Sequence, residues 1–99
     1  EQATVADVSS KERTIRAEIA EQYEQMLKFN RLRASMKELV EIALKSREHV
    51  RQQFEAGRVD LLRINDAQNR YDRARSEYDL AEVSYALARE GLELLSGND

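Results

Sequence analysis

A repeat of mainly apolar residues at alternating spacings of three and four, with a few polar substitutions, follows almost the whole chain and stops at one place. The pattern extends from Ile15 to Phe54 in the first half and from Ile64 to Leu95 in the second. Such a seven-residue repeat lines one stripe of a helix that packs on another helix, as in a coiled coil. The sequence has no proline to kink either run. The repeat therefore predicts an all-α fold of two long helices.

The interruption contains Gly57, the only glycine before the last turns of the chain. Glycine readily takes the left-handed conformation that ends a helix, and Asp60 can accept hydrogen bonds from the first amides of the next one. We expect a long antiparallel coiled-coil hairpin: a helix over about 10–56, a tip at about 57–60 and a helix over about 60–95.

Two starts are open for the first helix. Either Ser9 or Ser10 caps it, or a frayed helix already passes through both residues. From Ser10 to Ala56, at about 1.5 Å per residue, the helix would be roughly 70 Å long. This length predicts a rod rather than the side of a globule.

Antiparallel pairing about the tip places side by side residues whose numbers add to about 114, and both repeats then stay in phase. The expected pairs are Ala43 with Tyr71, Val40 with Ala74, Met36 with Tyr78, and Phe29 with Tyr85. Large and small residues alternate along the second helix, which favours core packing of the tyrosines over a role in ligand stacking. The predicted packing residues are Met36, Val40, Ala43, Val50, Ile64, Ala67, Tyr71, Ala74, Tyr78, Ala81 and Tyr85.

A second apolar stripe widens the buried face of the first helix. Its members are Tyr23, Leu27, Leu32, Leu39 and Ile42. A two-stranded coiled coil needs only one stripe, so the second predicts another neighbour on that flank. The apolar area buried along one thin line of contact must also offset the conformational entropy that nearly a hundred residues lose on folding. We therefore expect the isolated chain to be marginally stable or to self-associate, most simply as an antiparallel four-helix bundle.

The sequence gives little support for a catalytic site or a metal site. The 99 residues include no cysteine and one histidine, His49, for which we expect a solvent-facing position. A rod offers no pocket to shift the pKa of a carboxyl group. The net charge of −3 with interspersed signs gives no basic face for nucleic acid, and no apolar run is long enough to span a bilayer. We expect no enzyme activity, no cofactor and no metal site.

The tip carries the most specific pattern. The segment FEAGRVDLLRINDAQ, residues 54–68, resembles the repeat signature of the TolC-like outer-membrane efflux factors. The resemblance covers roughly residues 16–97, specific at the tip and generic along the helices. It implies a homotrimeric duct whose helical hairpins form a barrel across the periplasm of the Gram-negative envelope. Its partners would be the hairpin of a periplasmic adaptor and, through it, an inner-membrane transporter.

The resemblance also implies roles for individual residues. Those that match the adaptor-docking tip are Phe54, Gly57, Arg58, Val59 and Asp60. Arg63 and Asp66 match positions that face the lumen near the closed aperture, where the family often has an acid in place of Arg63. The arginine either forms a salt bridge with Asp66, weakens a cation-attracting acidic ring, or is a plain surface residue.

Two other interpretations stay open. The hairpin of a periplasmic adaptor has a tip that Arg58 and Leu62 fit, but Asn69 stands where that tip has serine. The second interpretation is an unrelated coiled-coil scaffold or dimerisation rod, although the second stripe would then lie exposed to water. Since the chain opens on Glu1 rather than methionine, we expect a mature or excised piece of a longer protein. The resemblance implies that this piece, residues 1–99, is a single helical hairpin of a periplasmic α-barrel.

Overall fold

The computed structural model describes residues 2–97, which form two long antiparallel helices. Helix α1 spans Gln2–Glu55 and helix α2 spans Leu61–Ser96. Together they make a rod with dimensions of 82 × 21 × 14 Å. The predicted all-α helical hairpin is confirmed. Within residues 2–97, neither helix has an apolar segment that could cross a membrane.

Helix α1 begins earlier than residue 10. Ser9 and Ser10 lie inside it, and the hydroxyl of Thr14 donates to the Ser10 carbonyl oxygen at 2.9 Å, one helical turn back. Nothing between Gln2 and Glu55 is glycine or proline, so no residue in this stretch breaks the helix. Of the two starts considered, the helix that already passes through both serines is the one observed.

The core is a single line of contact, here called the seam, along which α1 and α2 meet. Its most buried side chains are Val40, Val50, Ala67, Ala81 and Ala88, each exposed by 9% or less. All the packing residues that the sequence predicted are buried or half-buried. No polar side chain is buried in the part of the chain that the structure describes. The buried centre of the seam is thus apolar but only one residue deep.

Contacts across the seam agree with the predicted register. Gln22 lies beside Gly91, and Arg33 forms an ion pair with Glu82. The residue numbers in these two pairs add to 113 and 115, close to the expected sum of about 114. The two seven-residue repeats therefore meet in phase.

Two arginines occupy repeat positions on the α1 side of the seam. The guanidinium of Arg33 covers the ring of Tyr85 at 3.9 Å, and that of Arg47 covers the ring of Tyr71 at 4.4 Å. A guanidinium is flat, and its aliphatic stem can pack on apolar surface while the charge reaches water. These polar residues therefore continue the seam instead of interrupting it.

The second stripe of α1 is largely uncovered in the hairpin. Tyr23, Leu32, Leu39 and Ile42 are 41–58% exposed, while Leu27 is half-buried. Helix α2 therefore covers the stripe of α1 that faces the seam, except at its ends, where Ile15 is 47% and Phe54 38% exposed, and it leaves most of the second stripe to water.

The second stripe is not one flank, because Tyr23 and Leu27 share heptad rows with Asn30 and Ala34 on one side of the seam, whereas Leu39 and Ile42 line a groove on the other. A further neighbour beside α1 stays a prediction.

Candidate functional site

The end of α1 is closed by a Schellman motif centred on Gly57. This glycine has φ +73°, in the left-handed region. Its N–H donates to the Phe54 carbonyl at 2.9 Å, and the Arg58 N–H donates to the Gln53 carbonyl at 2.8 Å. These bonds satisfy carbonyl oxygens that the last helical turn would otherwise leave without partners. A Cβ on Gly57 would meet nothing within 4 Å, so the backbone conformation alone favours glycine there.

The start of α2 is capped by Asp60. Its backbone is extended, with φ −92° and ψ 176°. The carboxylate Oδ1 accepts a hydrogen bond from the Arg63 N–H at 3.1 Å. Only a few residues separate this cap from Gly57, so the chain reverses direction in a short loop with a capping interaction at each helix end. The backbone of the tip therefore has one defined conformation.

The tip presents its side chains to solvent. Phe54 is 38% exposed, and Gly57, Arg58 and Asp60 are exposed as well. Val59 is half-buried. Of the predicted docking residues, four thus stand exposed at the end of the rod, and Val59 is half-buried among them.

Leu61 and Leu62 are the apolar tip residues that the predicted site omitted. They are 60% and 76% exposed, although both begin a helix. The signal was present in the sequence, because neither residue belongs to the three-four spacing that starts at Ile64. A leucine outside the seam must lie on the surface of a two-helix rod. The tip therefore combines aliphatic surface with charged neighbours.

The first turns of α2 continue the surface with polar groups. A shallow groove of about 440 Å³ is lined by Asp60, Leu62, Arg63, Asn65, Asp66 and Asn69. The carboxylate of Asp66 pairs with the Arg70 guanidinium at 3.1 Å. This is an acid followed by a base four residues on, the favoured order for a helical ion pair. Of the alternatives for Arg63, a salt bridge with Asp66 is therefore not the one formed in the hairpin.

Other chemistry is sparse around the tip. His49 is exposed and lies beside a small groove with Gln52, Gln53, Ala56 and Arg58. Within the residues that the structure describes, no group of three or more His, Cys, Asp or Glu side chains is arranged to hold a metal ion. The arrangement suits recognition of a surface by shape, apolar contact and charge.

Comparison with known proteins gives one match. A family model described as outer membrane efflux protein matches residues 1–98. Searches of curated proteins and of solved structures gave no match. The matched range includes both helices and the whole tip.

Proposed function

Because this chain belongs to the outer membrane efflux protein family, we propose that it forms part of the helical wall of a periplasmic efflux or secretion duct. Members of this family are channel components of the Gram-negative outer membrane and periplasm. They work with adaptor proteins and inner-membrane transporters. In this proposal the hairpin contributes to transport through its shape and contacts, without catalysis.

The exposed second stripe supports a role as part of a wall. A free two-helix rod would leave Leu39 and Ile42, 46% and 58% exposed, in water. In a curved wall of helices each helix has neighbours on both sides, so these residues would be covered. The 82 Å length of the rod also suits an extended wall better than a compact domain.

The docking role depends on one observation, the form of the tip. Leu61 and Leu62 stand exposed beside a short loop in which Gly57 caps the end of α1 and Asp60 caps the start of α2. A surface held in one conformation loses little entropy on binding, and exposed aliphatic side chains gain from being covered. We propose that this tip docks the hairpin tip of a periplasmic adaptor, with Phe54, Arg58 and Val59 adding contacts.

We further propose that Arg63 and Asp66 lie near the lumen at the closed end of the duct. Since Asp66 is paired with Arg70 in the hairpin, its charge is locally compensated. Arg63 would then add positive charge where relatives often carry an acid. On this view the aperture of this protein attracts cations less strongly than an acidic ring would.

The alternative of an adaptor hairpin is less well supported. Arg58 and Leu62 fit an adaptor tip, but Asn69 replaces the serine of that pattern. The family match extends over residues 1–98 and describes an efflux protein of the outer membrane. The duct therefore accounts for the tip and for the rod, whereas the adaptor pattern accounts for two residues.

Cysteine crosslinking in the periplasm tests the docking proposal. The chain has no cysteine, so Arg58→Cys introduces a single reactive thiol at the tip. A panel of single cysteines along a candidate adaptor hairpin provides the partner positions. Glu38→Cys, on an exposed position of the rod, is the matched control.

We expect crosslinks from position 58 to the adaptor tip and none from position 38 to that tip. Crosslinks from position 38 alone would place the adaptor along the rod and contradict docking at the tip. Absence of crosslinks from both, with the protein found in the cytosol, would favour the scaffold interpretation.

A further inference from the structure

A small groove of about 150 Å³ lies where α1 ends, here called the Arg58 groove. It is lined by His49, Gln52, Gln53, Ala56 and Arg58. Four of these five side chains can donate hydrogen bonds, because they carry an imidazole, two amides and a guanidinium. Its lining, within the described residues, contains no carboxylate. The groove therefore offers several donors to an acceptor and has no negative charge of its own to repel an anion.

Four larger grooves along the rod differ from the Arg58 groove in this respect. Each of them contains one or two acidic side chains, namely Asp60 with Asp66, Glu77, Glu82, and Glu21 with Glu24. The chain as a whole has a net charge of −3. A positively charged groove without an acid is thus a local exception on an acidic protein, and it lies beside the tip.

Three acids that neighbour the Arg58 groove in sequence each have another partner. The pairs are Glu48 with Arg47 at 3.5 Å, Glu55 with Arg51 at 3.4 Å, and Asp60 with the N–H of Arg63 at 3.1 Å. Within residues 2–97, Arg58 itself forms no ion pair. Its positive charge is therefore free to meet a carboxylate from another molecule.

The backbone that carries Arg58 is fixed by the end of α1. The Arg58 N–H donates to the Gln53 carbonyl at 2.8 Å, and Gly57 just before it holds φ +73°. The side chain thus starts from one defined position beside the two glutamines. A guanidinium can donate to both oxygens of one carboxylate, and side-chain amides can donate to the same group. The arrangement therefore suits a single carboxylate better than a neutral acceptor.

We infer that the Arg58 groove binds a carboxylate side chain, an aspartate or a glutamate, on the tip of the adaptor hairpin. This inference rests on the proposed docking of the tip and names the chemistry of the partner surface. Leu61 and Leu62, which are 60% and 76% exposed, follow Arg58 by three and four residues and add the apolar part of the contact. The adaptor surface carries an acid beside an apolar patch, and an adaptor with a base at that position is repelled.

Crosslinking in the periplasm tests this inference with Leu61→Cys as the reporter, so that position 58 can be varied. Cysteine keeps the reporter position apolar. The probe is a candidate adaptor with a single cysteine on its hairpin tip. We expect Arg58→Glu to lower the initial rate of crosslinking roughly tenfold. Arg31→Glu, at an exposed position of the rod, makes the same change in net charge and should leave the rate nearly unchanged.

A second variant introduces a negative charge into the groove without removing the guanidinium. Gln52 is exposed and lines the groove, so Gln52→Glu should also slow crosslinking, whereas Gln52→Asn should largely preserve the rate. Circular dichroism of each variant checks that the helices are intact.

A charge exchange identifies the carboxylate. Each aspartate and glutamate on the adaptor tip is changed to arginine in turn and combined with Arg58→Glu. We expect one of these adaptor variants to restore the crosslinking rate of Arg58→Glu and to slow crosslinking when Arg58 is present. Restoration by a single position requires that the two residues meet in the complex.

Three results would overturn the inference, and they differ in what they say about docking. If Arg58→Glu crosslinks from position 61 at the full rate, the tip docks the adaptor but the groove does not bind a carboxylate. If Arg58→Glu slows crosslinking and no adaptor variant restores it, Arg58 donates to a neutral acceptor such as a backbone carbonyl. If position 61 gives no crosslinks even with Arg58 intact, the proposed docking at the tip fails as well.

Discussion

The guanidinium carbon of Arg33 lies 3.9 Å from the centre of the Tyr85 ring, and the same group contacts the Glu82 carboxylate at 3.4 Å. Arg47 and Tyr71 repeat the stacked arrangement at 4.4 Å, nearer the tip. If the helices slipped by one seven-residue repeat, at most one of the two arginines would still meet a tyrosine. The two pairs therefore favour one register over its neighbours.

Removing Arg33 should weaken the hairpin measurably. Arg33→Ala loses a stacked cation worth about 0.5–1 kcal/mol and a partly exposed ion pair worth about 0.2–1 kcal/mol. We expect the free energy of unfolding to fall by about 1 kcal/mol in urea titrations at one low protein concentration. Arg33→Lys should recover only part of the loss, because an ammonium cannot lie flat on the ring.

A double-mutant cycle separates the stacking from other effects of the change. Arg33→Ala and Tyr85→Leu should be non-additive, with a coupling energy of about 0.5–1 kcal/mol. Additive effects would show that the proximity of the two groups contributes nothing to stability. Arg31→Ala, an exposed arginine off the seam, is the control and should change stability by less than about 0.5 kcal/mol.

Replacing Gly57 should separate tip shape from helix formation. At φ +73° a β-branched residue is strained by about 1–3 kcal/mol, although the surrounding space is empty. We expect Gly57→Val to lower the free energy of unfolding by that amount while far-ultraviolet circular dichroism of the folded chain barely changes. Gly57→Asn, which tolerates the left-handed region, should cost less.

The proposed docking role adds a second readout for the same variants. Gly57→Val should reduce the yield of tip crosslinks to the adaptor, whereas Gly57→Asn should largely keep it. A parallel loss of helicity and of crosslinking in Gly57→Val would contradict the separation of the two roles.

Tyr78 should ionise at a higher pH than an ordinary tyrosine. Glu82 lies beside the phenol and, as a hydrogen-bond acceptor, raises the pKa of Tyr78 from its ordinary 10.0; burial and the charge of Glu82 add to this, while Arg33 and Arg75 act the other way. The folded state therefore holds the phenolic proton more tightly than the unfolded state. The resulting stability is complete below about pH 10 and is lost as the pH rises through the folded-state pKa.

Absorbance titration of tyrosinate tests this pKa shift. The difference between the wild type and Tyr78→Phe isolates the Tyr78 transition, which we expect above pH 10.0. In Glu82→Gln the carboxylate acceptor is gone, so the transition should move down toward the ordinary value. A Tyr78 transition that Glu82→Gln leaves in place would assign the shift to burial instead.

Gly91 is a place where the hairpin can be stabilised. It lies inside α2, where glycine costs up to about 1 kcal/mol relative to alanine. A Cβ there would meet the Gln22 side chain at 3.5 Å, an ordinary contact distance. We expect Gly91→Ala to raise the free energy of unfolding by up to about 1 kcal/mol in urea titrations. A decrease would mean that the close approach of Gln22 requires the glycine.

Features with a local cause could be predicted from the sequence. The caps at Gly57 and Asp60 follow from backbone preferences within a few residues. The α2 side of the seam follows from an uninterrupted repeat, and each of its residues from Ile64 to Leu95 is buried or half-buried.

Features that depend on how the two helices pack against each other could not be predicted from the sequence. Arg33 and Arg47 appear in the sequence only as interruptions of an apolar repeat, and their tyrosine partners become evident once the register is known. The row Leu80, Leu87 and Leu94 is likewise visible as a seven-residue spacing. That this row lies on the same side of the hairpin as Leu39 and Ile42 of α1 becomes evident only in the folded hairpin.

Substitutions of the two leucines that begin α2 can separate a role of the tip in docking from a role in stability. Leu61 and Leu62 are 60% and 76% exposed, so they contribute little to the seam. Exposed substitutions of this kind usually change stability by less than about 0.5 kcal/mol. The double variant Leu61→Ser with Leu62→Ser should therefore unfold at nearly the wild-type urea concentration, yet give a lower yield of crosslinks between Arg58→Cys and the adaptor tip. Val8→Ser, at a 52% exposed position near the opposite end of the rod, should alter neither quantity. If the double variant kept full crosslinking, the aliphatic surface of the tip would not take part in docking, and the contact would depend on the loop and its charges.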